Sequence, residues 1–129
     1  MKLTTGVEII EISRISQVLE RYGQRFLDRI YTPGEISYCS GRGPNLAVRF
    51  AAKEATMKAL GTGVKGVGWK DIEVTRHSSG APSILLHGRA ERCAQRLGVQ
   101  DISISLSHCH EYAVAFVVIQ CDARGKEIS

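Results

Sequence analysis

The chain has 129 residues and a formal net charge of +4 at neutral pH, with 43% hydrophobic and 23% charged residues. These values are typical of one soluble globular domain and exclude a disordered or low-complexity chain. No apolar run approaches the roughly 18 residues of a membrane span, and the N-terminus lacks a signal-peptide core, so we expect a cytoplasmic protein. The four cysteines show no C-x-x-C spacing, which argues against a zinc ribbon or a redox pair.

The opening segment predicts a β-strand with one unusual charge. Residues 6–12 (GVEIIEI) are rich in β-branched side chains, and their alternation places Val7 and Ile9 on one face and Glu8 and Ile10 on the other. A carboxylate that shares a face with an isoleucine has two interpretations. It either protects an edge strand from aggregation or belongs to a site.

The next segment predicts an amphipathic helix with a basic side. Ser13 is the expected N-cap, and the helix is predicted from apolar residues at helical spacing: Ile15, Leu19, Tyr22 and Phe26. Arg14, Arg21 and Arg25 recur at i, i+7 and i+11, so they should project from one side. That side is either a solvated basic face or a docking surface for an acidic helix of another protein. Nucleic acid is a weaker candidate, because no helix-turn-helix pattern surrounds the arginines.

The central segment predicts a buried helix that contains charges. Residues 46–60 are apolar on every side, Asn45 is the expected N-cap and Gly61 the expected end. Four charged residues nevertheless lie within it: Arg49, Lys53, Glu54 and Lys58. Burying a lone charge is costly, so these residues need partners. Either Glu54 and Lys58 form an i, i+4 surface pair, or Glu54 holds a cation while the basic residues meet an anionic ligand.

The remaining segments predict short helices and strands. Thr32 and Glu35 have capping-box spacing at the start of a helix through Tyr38. Further along, the pattern predicts two strands joined by a hairpin loop, a helix closed by Gly98, and two final strands: residues 69–76, 82–87, 90–97, 102–107 and 112–120. The order β-α-α-α-β-β-α-β-β indicates an α+β domain over residues 1–121, with helices packed on a mainly antiparallel sheet and a loose tail over 122–129. The last strand is apolar nearly throughout, which predicts cover on both faces and hints at an oligomer.

The turn between the last two strands contains two histidines. His108 and His110 could in principle bind zinc with Cys39, but no second ligand pair with the usual spacing exists. We therefore expect His108, at a strand end, to donate to a ligand phosphate.

Several segments together resemble the holo-acyl-carrier-protein synthase family of 4'-phosphopantetheinyl transferases. They cover nearly the whole chain and comprise GVEIIEISRI, the T..E..YC stretch, RFAAKEATMKALGTG, WKDIEV and ISLSH. The resemblance implies the 4'-phosphopantetheinyl transferase fold. It also implies transfer of the phosphopantetheine arm of coenzyme A to a serine of acyl carrier protein, with release of adenosine 3',5'-bisphosphate. This Mg2+-dependent reaction serves fatty-acid biosynthesis.

The resemblance also assigns roles to residues. Glu8 and Glu54 would hold the metal, although most relatives have Asp at the first position. The longer Glu8 would therefore act directly or through a water, or the site would prefer Mn2+. Contacts to coenzyme A are implied for Arg49, Lys53, Lys58 and His108, with Lys53 alternatively anchoring the helix. Lys58 would stabilise the pyrophosphate oxygens, and the serine proton would go to a metal-bound water oriented by Glu54 or to Glu54 itself.

Partners follow from the same resemblance. Acyl carrier proteins are small, acidic and helical, which suits Arg14, Arg21 and Arg25 as a docking surface, and family members are typically homotrimers with the coenzyme A site between subunits. Two other classes of function stay open from the residues alone. One is a metal-dependent nuclease or phosphohydrolase, and the other is a non-catalytic module that binds acyl carrier protein.

Overall fold

The computed structural model describes residues 1–122, so all of the predicted tail except its first residue lies outside the described residues. The elements follow one another in this order: β1 Lys2–Glu11, α1 Ile12–Tyr22, α2 Gln24–Ile30, α3 Pro33–Cys39, α4 Gly43–Leu60, α5 Gly63–Gly66, a 3-10 turn Trp69–Asp71, β2 Ile72–Arg76, β3 Pro82–Leu86, α6 Gly88–Leu97, β4 Val99–His108 and β5 Tyr112–Cys121. The predicted α+β class and the order of strands are confirmed.

Two antiparallel sheets organise the chain. The larger has the order β1-β5-β4, and the smaller is the β2-β3 hairpin that the loop at residues 77–81 predicts. The central strand β5 alternates strictly, and its inward side chains are fully buried against α4: Ala113, Ala115, Val117 and Ile119. Small residues in this row let a long helix lie close to the sheet.

Gly6 is the point where β1 and α4 approach most closely. A Cβ atom at this position would lie 1.9 Å from the carbonyl oxygen of Ala55, so no other residue fits without moving the helix. The strand face that contains Gly6 also presents Glu8 to the helix, as the alternation predicts. The close approach therefore brings a carboxylate of β1 to the charged residues of α4.

The opposite face of the larger sheet is apolar and uncovered in the single chain. Its exposed side chains include Leu3, Val7, Ile9 and Phe116, the last with 44% of its surface accessible. The prediction that the last strand is covered on both faces is therefore confirmed within the single chain for the face of β5 that packs against α4, and not for the opposite face. Within residues 1–122 the outer face has no cover, so its apolar side chains are available for contact with a neighbour.

The first predicted helix is in fact two helices. Gly23 adopts φ of 56° and ends α1, after which α2 begins at Gln24. Ser13 is not the N-cap, because α1 already begins at Ile12 and Glu11 occupies the cap position without a side-chain bond. The helical period of α1 does not continue past Gly23, because this glycine has a left-handed backbone conformation. The single helix side that we predicted for Arg14, Arg21 and Arg25 is therefore interrupted.

Other boundaries also differ from the sequence patterns. Asn45 lies inside α4, which starts two residues earlier with Pro44 in its first turn, and Arg42 takes the cap position. Residues 69–71 form a 3-10 turn rather than the start of a strand. The capping box of Thr32 is confirmed, and so is the left-handed cap at Gly61.

Candidate active site

Two carboxylates and a lysine meet where β1 crosses α4. The Nζ atom of Lys58 lies 2.9 Å from Oε2 of Glu8 and donates to the carbonyl of Val7 at 3.2 Å. In the described part of the chain, the ion pair of Lys58 is therefore with Glu8 and not with Glu54, which contradicts the i, i+4 surface pair. Glu8 is not a bare edge-strand charge either, because it faces the helix and is mostly covered.

The electrostatics of Glu54 show that the two carboxylates are neighbours. Burial raises the pKa of Glu54 above its ordinary value, and the negative charge of Glu8 raises it further. Lys58 and Arg14 act in the opposite direction without cancelling the shift. Two anionic groups that disfavour each other's charge form a site that a cation would stabilise.

The donor set fits a hard divalent cation. Glu8 and Glu54 supply oxygen atoms, and no cluster of three or more His, Cys, Asp or Glu suited to a metal occurs within residues 1–122. Mg2+ commonly binds through one or two carboxylates and keeps several waters or substrate phosphate oxygens. Two glutamates thus suit Mg2+ with a phosphorylated substrate better than zinc.

Arg49 and His108 line one cleft, as the sequence analysis expects for residues that bind one ligand. The cleft has a volume of about 250 Å³ and is also lined by Asn45, Arg76 and Pro82. Arg49 is only 3% exposed, its Nη1 donates to the carbonyl of Asn45, and its Nε has no hydrogen-bond partner in the described structure. A buried guanidinium with an unused donor beside an open cleft is a strong anion-binding group.

Lys53 does not reach this cleft, and the prediction that it contacts coenzyme A is corrected. It is fully buried, and its ammonium group donates to Oε1 of Glu35 at 2.8 Å and to the carbonyls of Trp69 and Ile72. A lysine has three donors, so all are occupied. Lys53 instead anchors the helix, which is the second role that the sequence left open.

Glu35 is the centre of that anchor. Its carboxylate also accepts hydrogen bonds from the backbone N–H groups of Thr32 and Val74, so it joins α3, α4 and β2. The capping-box spacing revealed its bond to Thr32. Its pairing with Lys53 could not be found from the sequence, because no local pattern links residues 18 positions apart.

The three arginines of the predicted docking surface do not lie on one helix, and one of them, Arg14, lines an apolar cleft. Arg14 and Arg21 belong to α1, whereas Arg25 follows the break at Gly23 and belongs to α2. A cleft of about 280 Å³ separates these helices from α4 and the 3-10 turn, and it is lined by Ile10, Arg14, Ile15, Val18, Phe26, Ile30, Phe50 and Trp69. Since the charge of Arg14 acts on Glu54, this cleft lies beside the two carboxylates.

Comparison with known proteins identifies the family. A model of the 4'-phosphopantetheinyl transferase superfamily matches residues 4–117. The chain belongs to this superfamily. The resemblance drawn from the sequence motifs is thereby confirmed, and the enzyme class is that of a phosphopantetheinyl transferase.

Individual members of the superfamily are similar over nearly their whole length. Holo-[acyl-carrier-protein] synthase of Moorella thermoacetica is 50% identical over 121 residues, which are 92% of this chain and 94% of the relative. The enzyme of that name from Gloeobacter violaceus is 52% identical over 118 residues, 88% of this chain and 89% of the relative.

Solved structures of the same superfamily have this fold. The holo-[acyl-carrier-protein] synthase of Neisseria meningitidis superposes with a TM-score of 0.84 at 32% identity, covering 91% of this chain and 97% of the other. The Helicobacter pylori synthase, solved in complex with coenzyme A, gives a TM-score of 0.82 at 33% identity and covers 90% and 99%. The predicted transferase fold is therefore confirmed. Within residues 1–122, no helix is both long enough and apolar enough to span a membrane.

Proposed function

We propose that this protein is a holo-acyl-carrier-protein synthase. It transfers the 4'-phosphopantetheine arm of coenzyme A to a serine of apo acyl carrier protein and releases adenosine 3',5'-bisphosphate. The observation that carries the proposal is that Glu8 of β1 meets Glu54 and Lys58 of α4, the helix that also contains the buried guanidinium of Arg49. Relatives with that name match over most of the chain, and the Helicobacter pylori relative binds coenzyme A.

Each group of residues has a part in the transfer. Arg49 and His108 bind phosphate groups of coenzyme A, and Lys58 faces the pyrophosphate. The serine oxygen of the carrier forms a bond to the β-phosphorus as the bond from that phosphorus to the leaving bisphosphate breaks. The serine proton passes to Glu54 directly or through a water that Glu54 orients. Lys58 is placed to stabilise the charge that develops on the oxygens between the two phosphorus atoms.

Mg2+ would be held by Glu8 and Glu54. When bound, it supplies positive charge that binds and neutralises the pyrophosphate oxygens. Glu8 has a side chain one methylene longer than aspartate, and its carboxylate is held 2.9 Å from Lys58. Because the Lys58 ion pair holds its carboxylate in place, Glu8 would bind Mg2+ directly or through a water. Mn2+, which is less strict about coordination geometry, would be the substitute ion.

The carrier protein would dock on α1 and α2. Arg14, Arg21 and Arg25 are exposed and basic, and the apolar cleft beside Arg14 offers a place for side chains of an acidic helix. A second cleft of about 250 Å³ is lined by Tyr22, Arg25, Phe26 and Arg29, which adds apolar surface between the basic groups. Opposite charges steer the encounter and apolar contacts retain the complex.

The enzyme would function as a homotrimer in the cytoplasm, in fatty-acid biosynthesis. The uncovered apolar face of the larger sheet supports self-association, because an exposed patch of this kind is unusual on a monomer.

The test is to mix the protein with apo acyl carrier protein and coenzyme A in the presence of Mg2+ and to measure the mass of the carrier. We expect a gain of one phosphopantetheine arm. Glu54→Gln should abolish the gain while the circular dichroism spectrum stays that of the parent. No gain with either Mg2+ or Mn2+ would reject the transferase. Turnover of nucleic acid or simple phosphoesters would then indicate a phosphohydrolase, and carrier binding without transfer would indicate a non-catalytic module.

A further inference from the structure

An aromatic ring at the end of α3 gathers three arginines. The guanidinium carbons of Arg49, Arg76 and Arg42 lie 4.4, 5.0 and 5.6 Å from the centre of the Tyr38 ring. All three distances are within the range of about 6 Å for cation–π attraction. In addition, Nη1 of Arg76 donates a hydrogen bond of 2.6 Å to the Tyr38 hydroxyl.

No carboxylate forms an ion pair with these arginines in the described part of the chain. The ion pairs of Lys53 with Glu35, Lys58 with Glu8 and His87 with Glu73 all lie elsewhere. Glu73 does line a small cleft together with Tyr38, Arg49 and Arg76.

The carboxylate of Glu73 is already engaged on both oxygens. Oε2 accepts a hydrogen bond from the Thr32 hydroxyl, and Oε1 lies 2.9 Å from Nε2 of His87. Glu73 keeps its negative charge in these hydrogen bonds, but it forms no ion pair with Arg49 or Arg76, and the Tyr38 ring is the group that lies between the arginines. Like charges repel, so such a cluster is held in place by the ring and binds an anion favourably.

The three arginines differ in what they can reach. Arg49 and Arg76 line the cleft that also contains His108, whereas Tyr38 lines only the smaller cleft behind them. Arg42 is committed to the backbone, because its Nε donates to the carbonyl of Cys39 and its Nη2 to that of Tyr38. Arg42 thus fixes the end of α3, and Arg49 and Arg76 are the two that face a ligand.

We propose that Tyr38 is a positioning residue that holds Arg49 and Arg76 as a pair for the phosphates of coenzyme A. The proposal rests on the proposed function and extends it, since it adds Arg76 to the ligand contacts and gives Tyr38 a role through the two arginines. The hydroxyl fixes the direction of Arg76, and the ring fixes the distance of both guanidinium groups.

Two substitutions separate the ring from the hydroxyl. Tyr38→Phe keeps the ring and removes the acceptor of Arg76, and we expect the Kd for coenzyme A to rise about threefold. Tyr38→Leu removes both, and we expect a rise of about tenfold, which corresponds to about 1.4 kcal/mol. Calorimetric titration measures both values. The KM for coenzyme A should rise in parallel, while kcat and the KM for carrier protein stay within about twofold, a split that a general loss of folded protein would not produce.

A double-substitution cycle tests the path through Arg76. Arg76→Gln should weaken coenzyme A binding, and Tyr38→Phe added to it should weaken binding little further, because the hydrogen bond is already lost. Arg92→Gln is the charge-matched control, since Arg92 is exposed on α6 and outside both clefts. We expect it to leave the Kd unchanged.

The results that overturn the proposal are distinct from those that overturn the function. If Tyr38→Leu is folded by urea titration and binds coenzyme A within twofold of the parent, Tyr38 has no positioning role. If the effects of Tyr38→Phe and Arg76→Gln on the Kd for coenzyme A multiply in the double variant, the two residues act independently. The Tyr38 hydroxyl then does not act through Arg76. If the parent binds no coenzyme A, the proposed function fails, and inorganic pyrophosphate becomes the probe. Weaker pyrophosphate binding by Tyr38→Leu than by the parent would then support the arginine pair, and equal or undetectable binding would reject it.

Discussion

The charged residues of α4 have separate physical roles although they lie within three turns. Lys53 is enclosed with Glu35, Arg49 is enclosed without forming an ion pair, and Lys58 reaches out to Glu8. Desolvation lowers the pKa of Lys53, and the adjacent Glu35 acts against that shift. A charge that is buried and paired supports structure, whereas a charge that is buried and unpaired is suited to a ligand.

The role of Lys53 can be tested by removing its charge. Lys53→Met should destabilise the fold by about 3 to 5 kcal/mol, because it leaves the carboxylate of Glu35 buried without a counter-charge. Urea unfolding measures this loss. The exposed Lys70→Met is the control and should change stability by less than about 0.5 kcal/mol. In the folded fraction the KM for coenzyme A should be unchanged. If Lys53→Met is stable and has a raised KM for coenzyme A, the result would instead support the contact between Lys53 and coenzyme A that the sequence predicts.

At the scale of elements, the crossing of β1 over α4 creates the site. The strand supplies Glu8, the helix supplies Glu54 and Lys58, and the distance between the two elements is set by Gly6. Because helix and sheet interiors are close-packed, one extra carbon at the crossing must displace the whole helix.

Gly6→Ala should therefore damage both stability and activity. The added Cβ would overlap the Ala55 carbonyl, and we expect a loss of about 3 kcal/mol or the failure of the chain to fold. Thermal unfolding and the carrier mass assay measure the two effects. Thr5→Ala lies next along the strand on the other face and should change stability little. A Gly6→Ala protein with parental stability and turnover would show that the crossing distance is not critical.

The helices α1 and α2 form the proposed docking surface for the carrier protein. Arg14 influences Glu54 directly, so Arg21 and Arg25 provide the cleaner test of docking. Arg21→Glu with Arg25→Glu should raise the KM for carrier protein at least about tenfold and leave that for coenzyme A nearly unchanged, with a smaller effect at high salt.

The control for docking changes the net charge equally on another helix. Arg89→Glu with Arg92→Glu alters exposed residues of α6 and should affect neither KM. If both double variants raise the KM for carrier protein alike, net charge rather than a local surface is responsible. If the α1–α2 variant raises both substrate KM values equally, the docking role is rejected.

For the molecule as a whole, the uncovered face of the larger sheet is the main unexplained surface. Apolar side chains from β1 and β5 lie side by side there, while the inner side chains of β5 are fully buried against α4. A sheet that is apolar on both faces needs a second layer, which another copy of the chain would provide.

Phe116→Glu should disrupt that assembly. A charge in the middle of the apolar face is costly to bury, so we expect a trimer for the parent and a monomer for the variant by sedimentation equilibrium. Leu85→Glu is the matched control, because Leu85 is an equally exposed apolar residue of the separate hairpin. A parent that is monomeric at micromolar concentration, or a variant that assembles like the parent, would contradict the trimer.

Local patterns in the sequence determined the strands, the cap at Gly61, the inward face of Glu8 and, through the motif around Glu54, the family. These features depend on neighbours within a few residues, where periodicity and capping chemistry act directly. The tertiary structure alone decided which buried charges have partners. Lys53 meets Glu35, and Arg76 meets Tyr38, because chain segments far apart in sequence are packed together. Whether a buried charge is paired depends on those long-range contacts, so the split between an anchor at Lys53 and a ligand group at Arg49 could be found only in three dimensions.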